Sequence, residues 1–158
     1  MNHTTYDQLT KIQKNLLSEA KECMKNSYAP YSNFSVGAAL LTHNNTIVTG
    51  TNFENAAYGS TICAERTAIL KANSMGHRRF KAIAIIGSNK NIDLNTFAAP
   101  CGSCRQVLYE ASQIYNEQLD VIMSSTKMDK IIISPIEKLL PLAFGPTDLG
   151  IDTKKYQT

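Results

Sequence analysis

The sequence predicts one α/β domain in which a single mixed sheet of five strands is covered by helices. Three observations predict it. The chain has 158 residues, the length of one domain rather than two. Short apolar runs rich in β-branched residues alternate along it with segments whose apolar positions recur every three or four residues. No internal repeat, low-complexity tract or Pro/Gly/Ser-rich linker interrupts that alternation, so residues 1–158 read as one domain. A chain of this size buries roughly 68–70% of its unfolded surface and needs no disulfide staples.

Taken in order, residues 6–24 carry Leu9, Ile12, Leu16, Ala20 and Met24 at helical spacing, which predicts an amphipathic helix. Pro30 ends it, because proline cannot continue a helix and disfavours helical geometry at Ala29. Residues 34–42 and 46–51 then predict a hairpin around the His43-Asn44-Asn45 turn. A second helix follows over 62–74, and an apolar strand over 79–87. The third helix, over 101–115, places Val107, Leu108, Ala111 and Ile114 on one side. Residues 120–124 and 130–134 predict two more strands, and the five residues between them are too few for a parallel crossover, so the pair is antiparallel. A short helix over 136–140 precedes Pro141. The order helix, hairpin, helix, strand, helix, strand, strand assembles into the mixed sheet.

Composition narrows the function. Hydrophobic residues are 43% of the chain and charged residues 18%, which excludes a disordered, highly charged protein. Sixteen Lys plus Arg against 13 Asp plus Glu give a net charge of +3, far from the basic stripe of a nucleic-acid binder. The longest apolar runs, such as 82–86, fall well short of the ~18 residues of a membrane span. Residues 1–10 are polar and lack a signal-peptide core. The expectation is a cytoplasmic protein with neither nucleic acid nor membrane as partner.

The four cysteines carry the chemistry. In a reducing compartment, clustered cysteines bind metal or react more often than they form disulfides. Cys101 and Cys104 form a C-x-x-C, Cys63 lies upstream, and Cys23 stands alone. Cys63 and Cys101 each open a helical segment, where unpaired N–H groups and the positive end of the helix dipole stabilise thiolates. Pro100 costs no donor at such a start. Cys101 and Cys104, three apart, reach one ion from the same face, and Cys63 supplies a third ligand. Zinc accepts such ligands, and three of them leave one tetrahedral position open, as catalytic zinc requires. Two other readings compete: a closed structural site completed by Cys23, His3, His43 or His77, none at finger-like spacing, and a redox pair that leaves Cys63 and Glu65 unexplained.

A metal-bound water needs a proton acceptor, and Glu65, two residues after Cys63 and off the ligand's own helical face, need not bind the metal and is the candidate for that role. On spacing alone, a solvated carboxylate in a first helical turn is the better reading. Three thiolates around Zn²⁺ leave a net negative charge. Arg66, three residues after Cys63, is placed to offset it by bonding a sulfur, with an ordinary surface arginine as the alternative. Arg105 is less suited to that role.

Cys63-Ala64-Glu65 followed by Pro100-Cys101-x-x-Cys104 resembles the zinc-dependent cytidine deaminases in their three-cysteine, small-subunit form. The resemblance spans about residues 28–149. It includes Tyr31-Ser-x-Phe34-x-Val-Gly-Ala-Ala, Asn52-Phe-Glu54-Asn-Ala and Leu140-Pro-x-x-Phe144-Gly-Pro. It implies a cytidine deaminase-like α/β/α fold and one zinc per chain on Cys63, Cys101 and Cys104, with Glu65 as the proton shuttle. It also implies that Phe34 stacks on the pyrimidine, that Asn52 and Glu54 hold the ribose 3′-hydroxyl, and that the Ala64 backbone reads the base edge. The family is usually homotetrameric, with residues matching Ala56, Tyr58 and Phe144 reaching a neighbour's site. The implied function is hydrolytic deamination of cytidine and deoxycytidine to uridine and deoxyuridine by a zinc-activated water, a step of pyrimidine salvage. Residues 89–96 and the tail after Leu149 lie outside the resemblance.

The residues read on their own agree less sharply. A phenylalanine opening a strand is more often core than platform. Asn52 and Glu54, two apart at a strand end, point the same way, and an amide beside a carboxylate clamps a hydroxyl by donating and accepting. Two solvated turn residues would look the same. Three other functions compete. A nucleic-acid deaminase of the same superfamily is opposed by the modest charge and the lack of a basic or aromatic groove. A deaminase of another small molecule, such as a nucleoside antibiotic, and a non-enzymatic zinc-binding module are the others.

Overall fold

The computed structural model describes residues 2–89 and 96–157. Its elements run β1 (Asn2–Thr4), α1 (Lys11–Cys23), β2 (Phe34–Thr42), β3 (Ile47–Thr51), α2 (Ala64–Ser74), β4 (Phe80–Asn89), α3 (Gly102–Gln113), β5 (Asp120–Ser124), β6 (Ile131–Pro135) and α4 (Ile136–Leu139). The expected periodicities appear, with boundaries moved where capping chemistry decides. Thr10 accepts the Gln13 amide at 3.3 Å, and the Gln13 side chain accepts the Thr10 amide at 2.9 Å. This reciprocal box starts α1 at Lys11 rather than residue 6 and leaves Tyr6–Gln8 as a separate 3₁₀ turn. The helices expected from 62 and 101 begin instead at Ala64 and Gly102, because Cys63 and Cys101 are extended N-cap residues.

The sheet has six strands, not five, in the order β1-β6-β5-β4-β2-β3. The additional strand, β1, pairs antiparallel with the edge of β6. Asn2, His3 and Thr4 carry no apolar alternation, so a strand held only by its backbone ladder left no hydrophobic signal to read. β5 and β6 are antiparallel, as their short connection required.

Strand directions place the functional end of the molecule. β3 and β4 both pair antiparallel with β2, so they run parallel to each other. β4 and β5 are themselves parallel. The β3–α2–β4 and β4–α3–β5 units are therefore both crossovers, and α2 and α3 both begin beyond the carboxyl ends of their strands at one end of the sheet. Such an end is where α/β sheets place ligands.

Both sheet faces are covered, which explains why β4 reads as a continuous apolar run. Ile83 and Ile85 pack with Ala68 and Ala72 of α2 and Leu108 of α3. Ala82, Ala84 and Ile86 pack beneath Leu16, Leu17 and Ala20 of α1. The α2 helix lies so close to β3 that a Cβ at Gly50 would come within 2.4 Å of the Ala68 nitrogen and 2.5 Å of the Ala64 oxygen. Backbone cannot yield as a side chain does. Gly50→Ala is expected to cost about 1–3 kcal/mol, the usual penalty for overpacking. Gly59→Ala, where an added Cβ meets nothing within 4 Å, should stay within ~0.5 kcal/mol of the parent. Urea midpoints of the two variants check this; equal midpoints would contradict the close approach of α2.

Candidate metal centre and active site

Two helix entrances at one end of the sheet bring the cysteines together. Cys63 and Cys101 are the N-caps of α2 and α3, and neither side chain caps its own helix. Their sulfurs are therefore free to point outward, where they lie 3.9 Å apart. Cys104, buried in the first turn of α3, places its sulfur 3.5 Å from that of Cys101. All three sulfurs lie within 4.8 Å of one another, and they are the metal-capable group of this kind among the described residues. Zinc–sulfur bonds of about 2.3 Å in a tetrahedron set sulfurs about 3.8 Å apart. The residues present fit that ion.

The surrounding groups account for the competitors as well. The Cys23 sulfur contacts the carbonyls of Ala20, Ala38 and Gly50 at 3.3, 3.6 and 3.5 Å, and burial pushes its thiol up. It takes no part in the cluster. His43 sits in the β2–β3 turn and His77 beyond the end of α2, both at the opposite end of the sheet. Of the two arginines, Arg66 faces sulfur: its Nη2 donates to the Thr61 carbonyl at 2.9 Å and lies 3.8 Å from the Cys63 sulfur. Arg105 turns away and donates to the Pro100 and Leu139 carbonyls.

Electrostatics separates the sulfurs. A hydrogen bond from the Cys104 thiol brings Cys63 down to about 5 against the opposing effect of burial, and Arg66 adds to the lowering. Cys104 is pushed far up by donating that proton, by burial and by the nearby Glu65 carboxylate. Arg66 is held above its ordinary range chiefly by Cys63. Its Nε is buried without a hydrogen-bond partner, a cost accepted where the guanidinium is aimed at negative sulfur. Sulfurs competing this strongly for protons are a donor set that a divalent cation relieves.

Glu65 is only 4% exposed, which removes the solvated first-turn alternative. Burial, helped by the neighbouring Cys63, raises its carboxyl to about 7. It lines a cavity of about 460 Å³ together with Cys63, Cys101 and Ala64, and with Phe34, Asn52 and Glu54 on the facing wall. Asn52 and Glu54 are buried too, at 7% and 9% exposure. Both spend much of their capacity on the scaffold. The Asn52 Oδ1 accepts from Ser27 and from the Val36 amide, and its Nδ2 donates to the Phe34 carbonyl. One N–H of that amide is left over. The Glu54 Oε2 accepts the Tyr31 and Ser32 amides at 2.9 and 3.2 Å. Burial opposes its ionisation, but these bonds and the Ser32 hydroxyl outweigh it and hold the carboxyl below its ordinary range.

Phe34 is half-buried, and its ring lies where a Cβ on Gly87 would approach within 2.7 Å. Sequence reasoning missed Phe97, Ala98 and Thr61, which complete the cavity. Phe97 and Ala98 sit in the irregular approach to α3, where no periodicity exposes a facing. Tyr58 stands outside this cavity, beside Glu54 and Tyr31 in an adjoining hollow of about 370 Å³. Ala56 and Phe144 are exposed and line neither space.

Residues 10–117 match the family profile described as the cytidine and deoxycytidylate deaminase zinc-binding region. The chain is 44% identical over 135 residues to a cytidine deaminase of Sporosarcina psychrophila, covering 85% of this chain and 93% of that protein. It is 40% identical over 135 residues to one of Halalkalibacterium halodurans, covering 96% of the latter. A crystal structure of a cytidine deaminase from Burkholderia pseudomallei superposes with a TM-score of 0.75 at 40% identity, over 86% of this chain and all of that one.

About one zinc per chain is expected on purification, and Cys63→Ala, Cys101→Ala and Cys104→Ala should each lose it. Cys23→Ala should retain it in full. Metal analysis of the four variants decides; loss of zinc from Cys23→Ala would make the site a closed, structural one.

Proposed function

The chain belongs to the cytidine and deoxycytidylate deaminase family, and from that membership we propose that it hydrolyses cytidine and deoxycytidine to uridine and deoxyuridine with release of ammonia, residues 1–158 acting as one catalytic domain. The observation that carries the reading is the buried Glu65 beside three convergent sulfurs, with Glu65, Cys63 and Cys101 lining a cavity of about 460 Å³. Zinc held by Cys63, Cys101 and Cys104 supplies the Lewis acidity that makes water a nucleophile near neutral pH. Every other task falls to side chains of the chain. Glu65 takes a proton from the attacking water and passes it to ring N3, then takes the second proton from the hydroxyl formed on C4 and passes it to the amino group, which leaves as ammonia. Phe34 stacks on the pyrimidine, and the Ala64 backbone reads its edge. Glu54 accepts a hydrogen bond from the ribose 3′-hydroxyl while the remaining N–H of Asn52 donates to the hydroxyl oxygen. Arg66 tempers the charge on Cys63.

Substrate size follows from the same inventory. Glu54 sets a carboxylate at the sugar end, so a 5′-phosphate meets nearby negative charge. Free cytosine leaves Asn52 and Glu54 unpaired, at about 1–3 kcal/mol per buried group. Cytidine and deoxycytidine, sharing the 3′-hydroxyl, should react well, and cytosine, CMP and single-stranded oligonucleotides at least tenfold less efficiently in kcat/KM. Glu65→Gln should keep zinc and fold yet lose turnover by about 10²–10⁴-fold or more. Following cytidine loss by ultraviolet absorbance tests both. Efficient turnover of CMP or an oligonucleotide would overturn the nucleoside assignment, and an active Glu65→Gln would remove the shuttle.

The same proposal extends to a homotetramer working in the cytoplasm. It is supported by the exposure of Tyr58, Leu142 and Phe144, large apolar side chains that water disfavours. In a tetramer, Ala56, Tyr58 and Phe144 would complete a neighbour's site. Light scattering should give four chains of 17.4 kDa, about 70 kDa in all; a 17.4 kDa species active on cytidine would show the sites to be self-sufficient. No helix of the described residues is long and apolar enough to cross a membrane.

A further inference from the structure

The far ends of α2 and α3, opposite the sulfurs, are tied together by the C-terminal tail. Thr153 opens a 3₁₀ turn, Thr153–Tyr156, whose start is capped by the Asp152 carboxylate accepting the Lys154 amide. From this turn the Thr153 hydroxyl donates to the Gln113 carbonyl at 3.2 Å, and the Gln157 Nε2 donates to the Ile114 carbonyl at 2.8 Å. The Gln113 carbonyl also accepts the Asn116 amide at 3.3 Å in the turn after α3, so the tail adds a second bond there. Arg78 makes the other attachment: its Nη1 donates to the Tyr156 carbonyl and its Nε to Asn73 Oδ1 in the last turn of α2, both at 3.1 Å. A continuous line of hydrogen bonds thus runs from α2 through Arg78 and the tail to α3.

The Arg79–Glu117 ion pair, with its guanidinium over the Tyr115 ring, joins the segments after the same two helices, and Ile69, Phe80 and Ala111 pack in the buried core beside them. An apolar crevice of about 180 Å³ separates them, lined by Ile69, Leu70, Phe80, Val107, Ala111 and Ile114. Tilt matters to the metal centre. A helix of 11 residues is about 16 Å long, so a tilt of roughly 5° about its middle moves the sulfur at its entrance by about 0.7 Å. That exceeds the ~0.2 Å tolerance of a zinc–ligand distance.

We propose that residues 153–157 and Arg78 form a positioning strap whose docking is thermodynamically coupled to metal binding by Cys63, Cys101 and Cys104. The inference rests on the three-cysteine zinc reading. A bound ion would join the two helices at one end, the tail adds to the Arg79–Glu117 pair at the other, and each attachment strengthens the other. Coupling is reciprocal, so removing the metal must loosen the tail as surely as releasing the tail weakens the metal.

The test uses the full chain, the Arg78→Met variant and the Thr153→Val/Gln157→Leu double variant, none of which touches the cavity. Zinc release to a chromophoric chelator should be about tenfold faster in both variants, within the usual range of coupling. Hydrogen exchange of residues 153–157 in the full chain should speed up when zinc is stripped. A merely structural tail would lower the melting temperature of the variants but leave that zinc dependence of exchange absent. Unchanged release rates in the variants, or tail exchange indifferent to zinc, overturns the strap; should one variant fail to fold, the other and the exchange measurement decide. A full chain that binds no zinc at stoichiometric concentration refutes the metal reading instead, so the two failures are distinct.

Discussion

The antiparallel seating of β2 between β3 and β4 is the constraint from which the rest of this molecule follows. Because β2 reverses direction between them, β3 and β4 run the same way, and the helices after them start at the same end of the sheet. The two entrances then face one cavity with their positive dipole ends and unpaired amides. Anionic sulfur is stabilised at such a place and would be costly elsewhere. Had β2 lain at the edge with β3 beside β4 in the opposite sense, Cys63 and Cys101 would sit at opposite ends of the domain.

That arrangement concentrates unfavourable groups that the remaining fold must tolerate. A buried carboxylate and an Arg66 Nε without an acceptor, on adjacent residues of α2, stand beside the buried Cys104 of α3. Each alone destabilises a core. They persist because both sheet faces are continuously packed, with Leu16, Leu17 and Ile86 on one side and Ile83, Ile85 and Leu108 on the other. Local conflict with the rules of stability, confined to one cavity, is the pattern of a functional site.

Asn52 and Glu54 show how scaffold and site share residues. Paired backbone bonds between Phe53 and Ile62 hold the chain after β3 against the approach to α2. Asn52 fastens the start of β2 and Glu54 fastens the turn at Tyr31 and Ser32, so the walls of the cavity are held by the side chains that face it. A substitution at either position would therefore disturb wall geometry as well as any bond to a ligand. The two effects separate in the split between KM and stability.

Apolar periodicity made the helices and the five apolar strands legible in the sequence, since burial on one or two faces leaves a spacing that needs no partner to be read. The three cysteines were legible because thiol ligands at helix entrances have few other uses in a reducing compartment. What stayed hidden depended on neighbours distant in sequence. β1 is a strand only because β6 offers an edge, and Phe97 lines the cavity only because an irregular segment turns it inward. The proximity of Arg66 rather than Arg105 to Cys63, the burial of Glu65 and the scaffold bonds of Asn52 were likewise settled by packing, because spacing gives direction along one element while distance to another element exists only after the sheet has closed. The sequence by itself determined which chemistry the chain carries; the tertiary structure decided which of those groups meet, since convergence of two helix entrances is a property of strand direction and not of composition.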